Sequence, residues 1–362
     1  MLLHLLLPIG FTLSPLLGWV LDMHWLTLVL AMLVLPLAEW LFGRSASHRH
    51  DPVRAIDNVT INATLNATTD GHNFLAFKSP NYQWQPWLLR SVMLMVMVVC
   101  IGFALHSPQM TSSSFWLMAL SCGYVAGGIG IVLAHELGHR RALIDRTLAR
   151  TLLCWIGYGH YAIEHNRGHH RAAATYTDPA SARQDESLWR FMPRYFSGVF
   201  IHAVRLSRQK PGRINEALAL TAVSVLLGLT LAMFAGVEAL GFVLITAAVA
   251  QTLVATVDYV EHWGLQRVVI DGKPERMAPQ HIWDCANSIS DALLFNLPRH
   301  AAHHLEPSLD CNALRRVNAS PQMPTGYAGM SLLSAIWPLY RHIMTPRLPS
   351  AAPAAANMAL HA

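Results

Sequence analysis

The sequence predicts an all-α polytopic membrane protein, with six transmembrane helices in three hairpins and a histidine-rich cytosolic cap. Two features of composition indicate this. Hydrophobic residues make up 53% of the 362 residues and charged residues only 13%, about half the charge of a soluble protein. Twenty histidines accompany 21 acidic residues. The composition therefore excludes a disordered chain and argues against an ordinary cytosolic enzyme.

Six apolar runs have about the 20 residues that a helix needs to cross a bilayer. The segments that separate the members of each pair are short or uncharged and contain no Lys or Arg, so the runs form three hairpins. The first run lacks a preceding basic stretch and continues directly into the second, which argues against a cleaved signal peptide. The predicted spans are 2–21, 24–43, 87–106, 115–134, 217–235 and 239–257.

The distribution of basic residues predicts the orientation of these spans. All 26 Lys and Arg lie in the segments 44–90, 135–215 and 258–362. Because Lys and Arg stay preferentially on the cytoplasmic side, the protein is predicted to lie in a bacterial inner membrane with these segments and both termini facing the cytosol. The sequence pI of 9.1 then requires no nucleic-acid partner. Residues 1–348 form one predicted domain, and the Ala- and Pro-rich residues 349–362 a disordered tail.

Histidines recur at metal-ligand spacing in the two larger cytosolic segments. At spacing i, i+4 on a helix, two imidazoles project from one face and can bind one ion. The runs H-E-L-G-H, E-H-N-R-G-H-H, V-E-H-W-G and P-R-H-A-A-H-H supply nine candidate ligands: His135, His139, His165, His169, His170, His262, His300, His303 and His304.

The run H-E-L-G-H alone also fits a zinc metalloprotease, with Glu136 as general base. The number of histidines argues against that alternative, because a catalytic zinc uses three protein ligands and an open position. Nine imidazoles can instead hold two metal ions at four or five ligands each. Neutral imidazole suits iron, copper and zinc, and a redox-capable pair in a membrane protein favours iron and O₂ chemistry. The five cysteines include no C-x-x-C pair, so the chain has no rubredoxin-type site of its own.

Several acidic residues lie close in sequence to the candidate ligands. A carboxylate that accepts the outer N–H of a ligating imidazole fixes its tautomer and raises its basicity. The sequence predicts this supporting role for five acids: Glu136, Glu164, Glu261, Asp178 and Asp258.

These motifs resemble the integral-membrane alkane monooxygenases, within the histidine-rich diiron proteins that include fatty-acid desaturases. The resemblance covers roughly residues 85–345. It rests on H-E-L-G-H-R (135–140), E-H-N-R-G-H-H-R (164–171), D-P-A-S-A-R (178–183), Y-V-E-H-W-G-L (259–265), F-N-L-P-R-H-A-A-H-H (295–304) and P-Q-M-P-T-G-Y-A (321–328). Asp258, Trp263 and Pro298 replace that family's usual Asn, Tyr and Gln.

The resemblance implies two iron ions held by the same nine histidines, with no catalytic residue beyond these ligands. It implies O₂-dependent hydroxylation of a terminal alkane carbon, with electrons passing from NAD(P)H through rubredoxin reductase and rubredoxin. The substrate would enter from membrane lipid, and the first four spans are the candidates for the channel wall. Two alternatives stay open: a fatty-acid or lipid desaturase, and a hydroxylase of another hydrocarbon such as an aromatic methyl group.

Overall fold

A computed structural model describes residues 2–43, 85–208, 214–317 and 319–349. Within these ranges the regular structure is helical, apart from the antiparallel strands β1 (Val269–Ile270) and β2 (Lys273–Pro274). The predicted all-α class is therefore confirmed. Residues 44–84 of the predicted cytosolic segment 44–90 and residues 350–362 of the predicted tail lie outside the described residues.

Twelve helices are named among the described residues, of which five are apolar and seven are not candidate membrane segments. In chain order they are α1 (Leu2–Val20), α2 (Leu26–Phe42), α3 (Gln85–His106), α4 (Ser112–His139), α5 (Leu143–Trp155), α6 (161–172), α7 (Leu188–Arg208), α8 (Glu216–His262), α9 (Ser288–Leu293), α10 (His300–Leu305), α11 (Tyr327–Ala335) and α12 (Trp337–Met344).

Four of the described helices, α1, α3, α4 and α8, are long and apolar enough to span a bilayer, and α2 is apolar but shorter. Each predicted span thus falls on a helix. The α4 helix continues five residues past the predicted end of its span at 134 and includes the H-E-L-G-H run. The last two predicted spans lie in a single 47-residue helical segment, α8.

Gly236 divides α8 into two arms. Its backbone is non-helical, at φ 86° and ψ 171°, a conformation that glycine adopts without the steric cost of a Cβ. Residues on the two arms lie close together. A Cβ on Gly228 would lie 3.3 Å from Leu240 Cδ1. The arrangement of six spans in three hairpins stays a prediction.

The α4 helix packs closely on the second arm of α8. A Cβ on Gly123 would lie 2.5 Å from Val249 Cβ, and one on Gly127 would lie 2.9 Å from Ala250 Cα. The two glycines are four residues apart, the spacing that lets apolar helices approach closely in membranes. This contact fixes the separation of the two helices whose last turns carry His135, His139 and His262.

Three of the remaining helices pack on α4 or α8, the helices whose ends carry histidines. The α5 helix packs on α4, α7 packs on α8, and α11 packs on both α2 and α8. The α7 helix buries Leu188, Phe191, Tyr195 and Val199, a spacing of three and four residues that places all four on one face. The helices α5, α7 and α11 enclose the polar side chains at the ends of the apolar helices.

Candidate metal centre

The nine histidines predicted from spacing come together in two groups. In each group one ring nitrogen of every member lies within 4.8 Å of those of all the others. We call them the five-histidine cluster and the four-histidine cluster. The five-histidine cluster consists of His135, His139, His165, His170 and His303, and the four-histidine cluster of His169, His262, His300 and His304.

Local helix geometry decides which histidine joins which cluster. His135 and His139 share a face on the last turn of α4. A π-helical turn, His165–His169, lies within α6, and the adjacent residues His169 and His170 enter different clusters. His303 and His304 on α10 divide in the same way. The clusters are neighbours, since the ring centroids of His170 and His304 are 4.6 Å apart.

The ring nitrogens make more short contacts with one another than hydrogen bonds among the histidines can account for. In the five-histidine cluster, His170 Nε2 lies 2.9 Å from His165 Nε2 and 3.2 Å from Nε2 of both His139 and His303. A neutral imidazole carries one proton on its two nitrogens, so His170 cannot satisfy all three contacts. Both nitrogens of His135 are buried without a hydrogen-bond partner among the described residues. The set therefore fits a cation.

The four-histidine cluster has the same character. His300 Nε2 lies 3.0 Å from His304 Nε2 and 3.3 Å from His262 Nε2. His169 Nε2 is buried and has no hydrogen-bond partner among the described residues. Its ring centroid lies 4.7 Å from that of His262. These nitrogens thus converge in a space that excludes water.

Burial keeps most of these imidazoles neutral, the form that binds metals. It lowers the pKa of His165, His170, His300, His303 and His304 well below 6.5, with a smaller contribution from neighbouring histidines. Burial also lowers the pKa of His169, but the carboxylates of Asp178, Asp258 and Glu164 together outweigh it and raise that pKa to about 9. Asp178 Oδ2 lies 2.9 Å from His169 Nδ1. Asp178 therefore holds a proton on the outer nitrogen and directs Nε2 towards the cluster.

The five predicted supporting acids are all buried, but only Asp178 and Glu261 contact a cluster histidine. Glu261 Oε2 lies 3.2 Å from His300 Nε2. The other three acids have different partners among the described residues. Glu136 accepts from Arg140 and the Cys311 backbone, Glu164 lies 2.9 Å from His202 Nδ1, and Asp258 accepts from Tyr195 at 2.6 Å.

Two residues that sequence reasoning gave no role support the clusters. The Tyr327 hydroxyl donates to Glu261 Oε1 at 2.6 Å, and Asp284 Oδ1 accepts from the Ala301 backbone at 2.8 Å on the first turn of α10. Tyr327 lies in the P-T-G-Y run, a recognisable signal, whereas no pattern identifies Asp284. His160, close in sequence to Glu164, belongs to neither cluster.

The arrangement provides two adjacent sets of nitrogen donors, which suit two divalent transition-metal ions. The four-histidine cluster is wholly buried, whereas His139 and His170 of the five-histidine cluster are partly exposed. Nine converging imidazoles exceed the three protein ligands of a catalytic zinc, which argues against a metalloprotease centre.

Comparisons with known proteins agree with this description. The fatty acid desaturase family model matches residues 111–334. The chain is 37% identical to the alkane 1-monooxygenase of Ectopseudomonas oleovorans over 251 residues, covering 66% of this chain and 62% of that protein. It is 38% identical to alkane 1-monooxygenase 1 of Pseudomonas aeruginosa over 240 residues, covering 63% and 62%.

A more distant relative is the xylene/toluene monooxygenase hydroxylase component of Pseudomonas putida, 26% identical over 230 residues, covering 61% of each chain. The chain thus spans less than two thirds of the length of the relatives it matches. The match includes both histidine clusters, since residues 111–334 contain all nine histidines.

Proposed function

This chain belongs to the fatty acid desaturase family, and from that premise we propose that it is a membrane alkane 1-monooxygenase. The reaction inserts one oxygen atom of O₂ into a terminal C–H bond, and the alcohol keeps the displaced hydrogen in its hydroxyl group. The second oxygen atom leaves as water, which requires two electrons and two protons. Rubredoxin, reduced by NAD(P)H through its reductase, is the proposed electron donor.

One observation carries the proposal: nine histidines converge in two adjacent clusters at the ends of apolar helices. Relatives named alkane 1-monooxygenases, at 33–38% identity, support the alkane as substrate. An alkane partitions into lipid, so a centre at the ends of bilayer-spanning helices is placed to receive it. We retain the first four spans as the proposed wall of its path.

We propose iron as the metal, with one ion in each cluster. When bound, the two ions supply the O₂-activating redox chemistry, and the protein supplies their ligands and a dry site. Asp178 holds the outer proton of His169. Asp284 accepts from the first turn of α10 and so positions the three histidines on that helix. Burial of the four-histidine cluster excludes water from the place where a hydrocarbon would react.

We propose that electrons enter on the side of His139 and His170, the two partly exposed cluster histidines. The neighbouring residues Arg141 and Arg171 are exposed and make no ion pair with a described residue. An acidic carrier such as rubredoxin would be attracted to this surface. In the proposed orientation this surface lies on the cytosolic side of a bacterial inner membrane.

The test is product analysis with the full-length protein in membranes, supplied with rubredoxin, its reductase, NADH and ¹⁸O₂. The substrates are octane, dodecane, hexadecane, p-xylene and a fatty acid, and the matched control is His304→Ala. We expect primary alcohols that carry ¹⁸O, and none from His304→Ala. An alkene product would overturn the proposal in favour of a desaturase. Oxidation of p-xylene alone would favour the aromatic methyl group, which the 26% identical relative suggests.

A further inference from the structure

Glu261 differs from the other acids near the clusters in the nitrogen that it contacts. It is 2% exposed and lies on the last turn of α8, directly before His262. Its Oε2 is 3.2 Å from His300 Nε2. That nitrogen also approaches His304 Nε2 and His262 Nε2 at 3.0 and 3.3 Å. The carboxylate therefore reaches the nitrogen of His300 that faces into the four-histidine cluster.

Asp178 shows the opposite arrangement. It contacts Nδ1 of His169, while Nε2 of the same ring has no partner and faces the other histidines. An acid that supports a metal ligand from outside lies in this position. In His300 it is Nδ1 that is buried without a partner, and the carboxylate lies at Nε2. Glu261 consequently occupies the side on which an ion would bind.

We propose that Glu261 is itself a ligand of the ion in the four-histidine cluster, through Oε2. This inference rests on the proposed two-ion centre but not on the reaction that the centre catalyses. Nitrogen and oxygen ligands of an ion such as zinc lie about 2.0–2.2 Å from it, so neighbouring ligands are about 3 Å apart. The 3.2 Å between Glu261 Oε2 and His300 Nε2 matches that separation. Each cluster then has five donors.

The other carboxylate oxygen is already held. The Tyr327 hydroxyl donates to Glu261 Oε1 at 2.6 Å, and Tyr327 is buried at the first turn of α11. This hydrogen bond fixes the orientation of the carboxylate and leaves Oε2 free for the ion. The two ions then differ in charge environment, because one cluster contains an anionic oxygen ligand and the other contains only imidazoles.

The test uses Co²⁺ as the probe metal, in full-length protein purified from cells grown with Co²⁺ in place of iron. The readouts are the Co²⁺ content per chain and the ligand-field absorption spectrum, which reports the number and type of ligands without any turnover. Glu164→Gln is the matched control for Glu261→Gln. Both glutamates directly precede a cluster histidine and are 1% and 2% exposed, but Glu164 contacts His202.

We expect about two Co²⁺ per chain and equal spectra for the wild type and Glu164→Gln. In Glu261→Gln the second Co²⁺ should bind at least tenfold more weakly, since even changes behind a ligand cost about 10–100-fold, and the remaining spectrum should lose one set of bands. Tyr327→Phe keeps the carboxylate, so it should retain two Co²⁺ with a shifted spectrum.

Two results would overturn the inference while the two-ion centre stands. One is a Glu261→Gln protein with the content and spectrum of the wild type. The other, decisive if Glu261→Gln does not fold, is a Tyr327→Phe spectrum identical to that of the wild type. A wild-type protein with fewer than two Co²⁺ would overturn the proposed function together with this inference.

Discussion

Glu39 connects the second apolar helix to the segment that carries Tyr327, and its replacement tests that connection. The side chain is 2% exposed. Its carboxylate accepts from Ser290 Oγ at 2.6 Å, from Ala328 N at 3.1 Å and from Gly329 N at 2.8 Å. The last two donors are N–H groups in the first turn of α11, which have no partner within the helix. We therefore expect Glu39→Leu to destabilise the protein.

The magnitude follows from the donors that the substitution leaves behind. A buried donor without an acceptor costs about 1–3 kcal/mol, and the two backbone N–H groups cannot turn elsewhere, whereas the Ser290 hydroxyl can. Loss of a negative charge at a helix N-terminus adds roughly 0.3–2 kcal/mol. The expected loss of stability is therefore about 3 kcal/mol or more. At roughly 2 °C per kcal/mol for a large domain, the apparent Tm falls by about 6 °C or more.

The assay is thermal unfolding in detergent, followed by far-UV circular dichroism. Glu238→Leu is the control, because Glu238 is exposed and makes no hydrogen bond or ion pair with a described residue. Its Tm should stay within about 1–2 °C of the wild type, as is usual for surface changes. An unchanged Tm in Glu39→Leu would refute the claim that this carboxylate satisfies the first turn of α11.

Three further predictions concern topology, electron supply and the metal centre. Cysteines placed at the exposed positions Ser113 and Asp185 should react with impermeant reagents from opposite faces of the membrane, and labelling of both from one face would contradict the six-span arrangement. Turnover should require a separate reduced carrier, and NADH-driven turnover without any carrier would disprove this. Arg171→Glu should raise the KM for rubredoxin several-fold at low salt but little at high salt, since salt screens surface charge. His304→Ala should abolish hydroxylation and lower the iron content. Glu136→Gln should reduce activity by about tenfold at most, because Glu136 contacts Arg140 and no cluster histidine. A larger loss of activity in Glu136→Gln than in His304→Ala would indicate a protease.

Spacing alone identifies the nine histidines, but not their division between two clusters. His169 and His170 are adjacent, as are His303 and His304, and each pair separates. Consecutive residues on a helix point in directions about 100° apart, so neighbours in sequence do not share a face. The π-helical turn His165–His169 changes the local register further, and the residues of this segment give no clear signal for it. The division is therefore a result of tertiary structure.

The same geometry explains why adjacency in sequence was a weak guide to the supporting acids. Glu164 and Glu136 each adjoin a cluster histidine, yet their carboxylates contact His202 and Arg140. Asp178 is nine residues from His169 and contacts it directly, because the chain turns back between them. Glu261 adjoins His262 but contacts His300 on a different helix. Partners of a histidine are thus set by which helices pack together.

Packing inside the predicted membrane region consequently determines the geometry of the centre outside it. The four-residue spacing of Gly123 and Gly127 brings α4 against the second arm of α8. Both helices continue from this contact to their terminal histidines, α4 through the π-helical stretch Ala126–Ile131. Because a packed helix is rigid over the two or three turns involved, the separation of the helices at this contact is transmitted to His135, His139 and His262. Glu39 performs the corresponding task for α11 and hence for Tyr327. The apolar helices therefore do more than anchor the chain in lipid, since they hold the histidine-bearing elements in register.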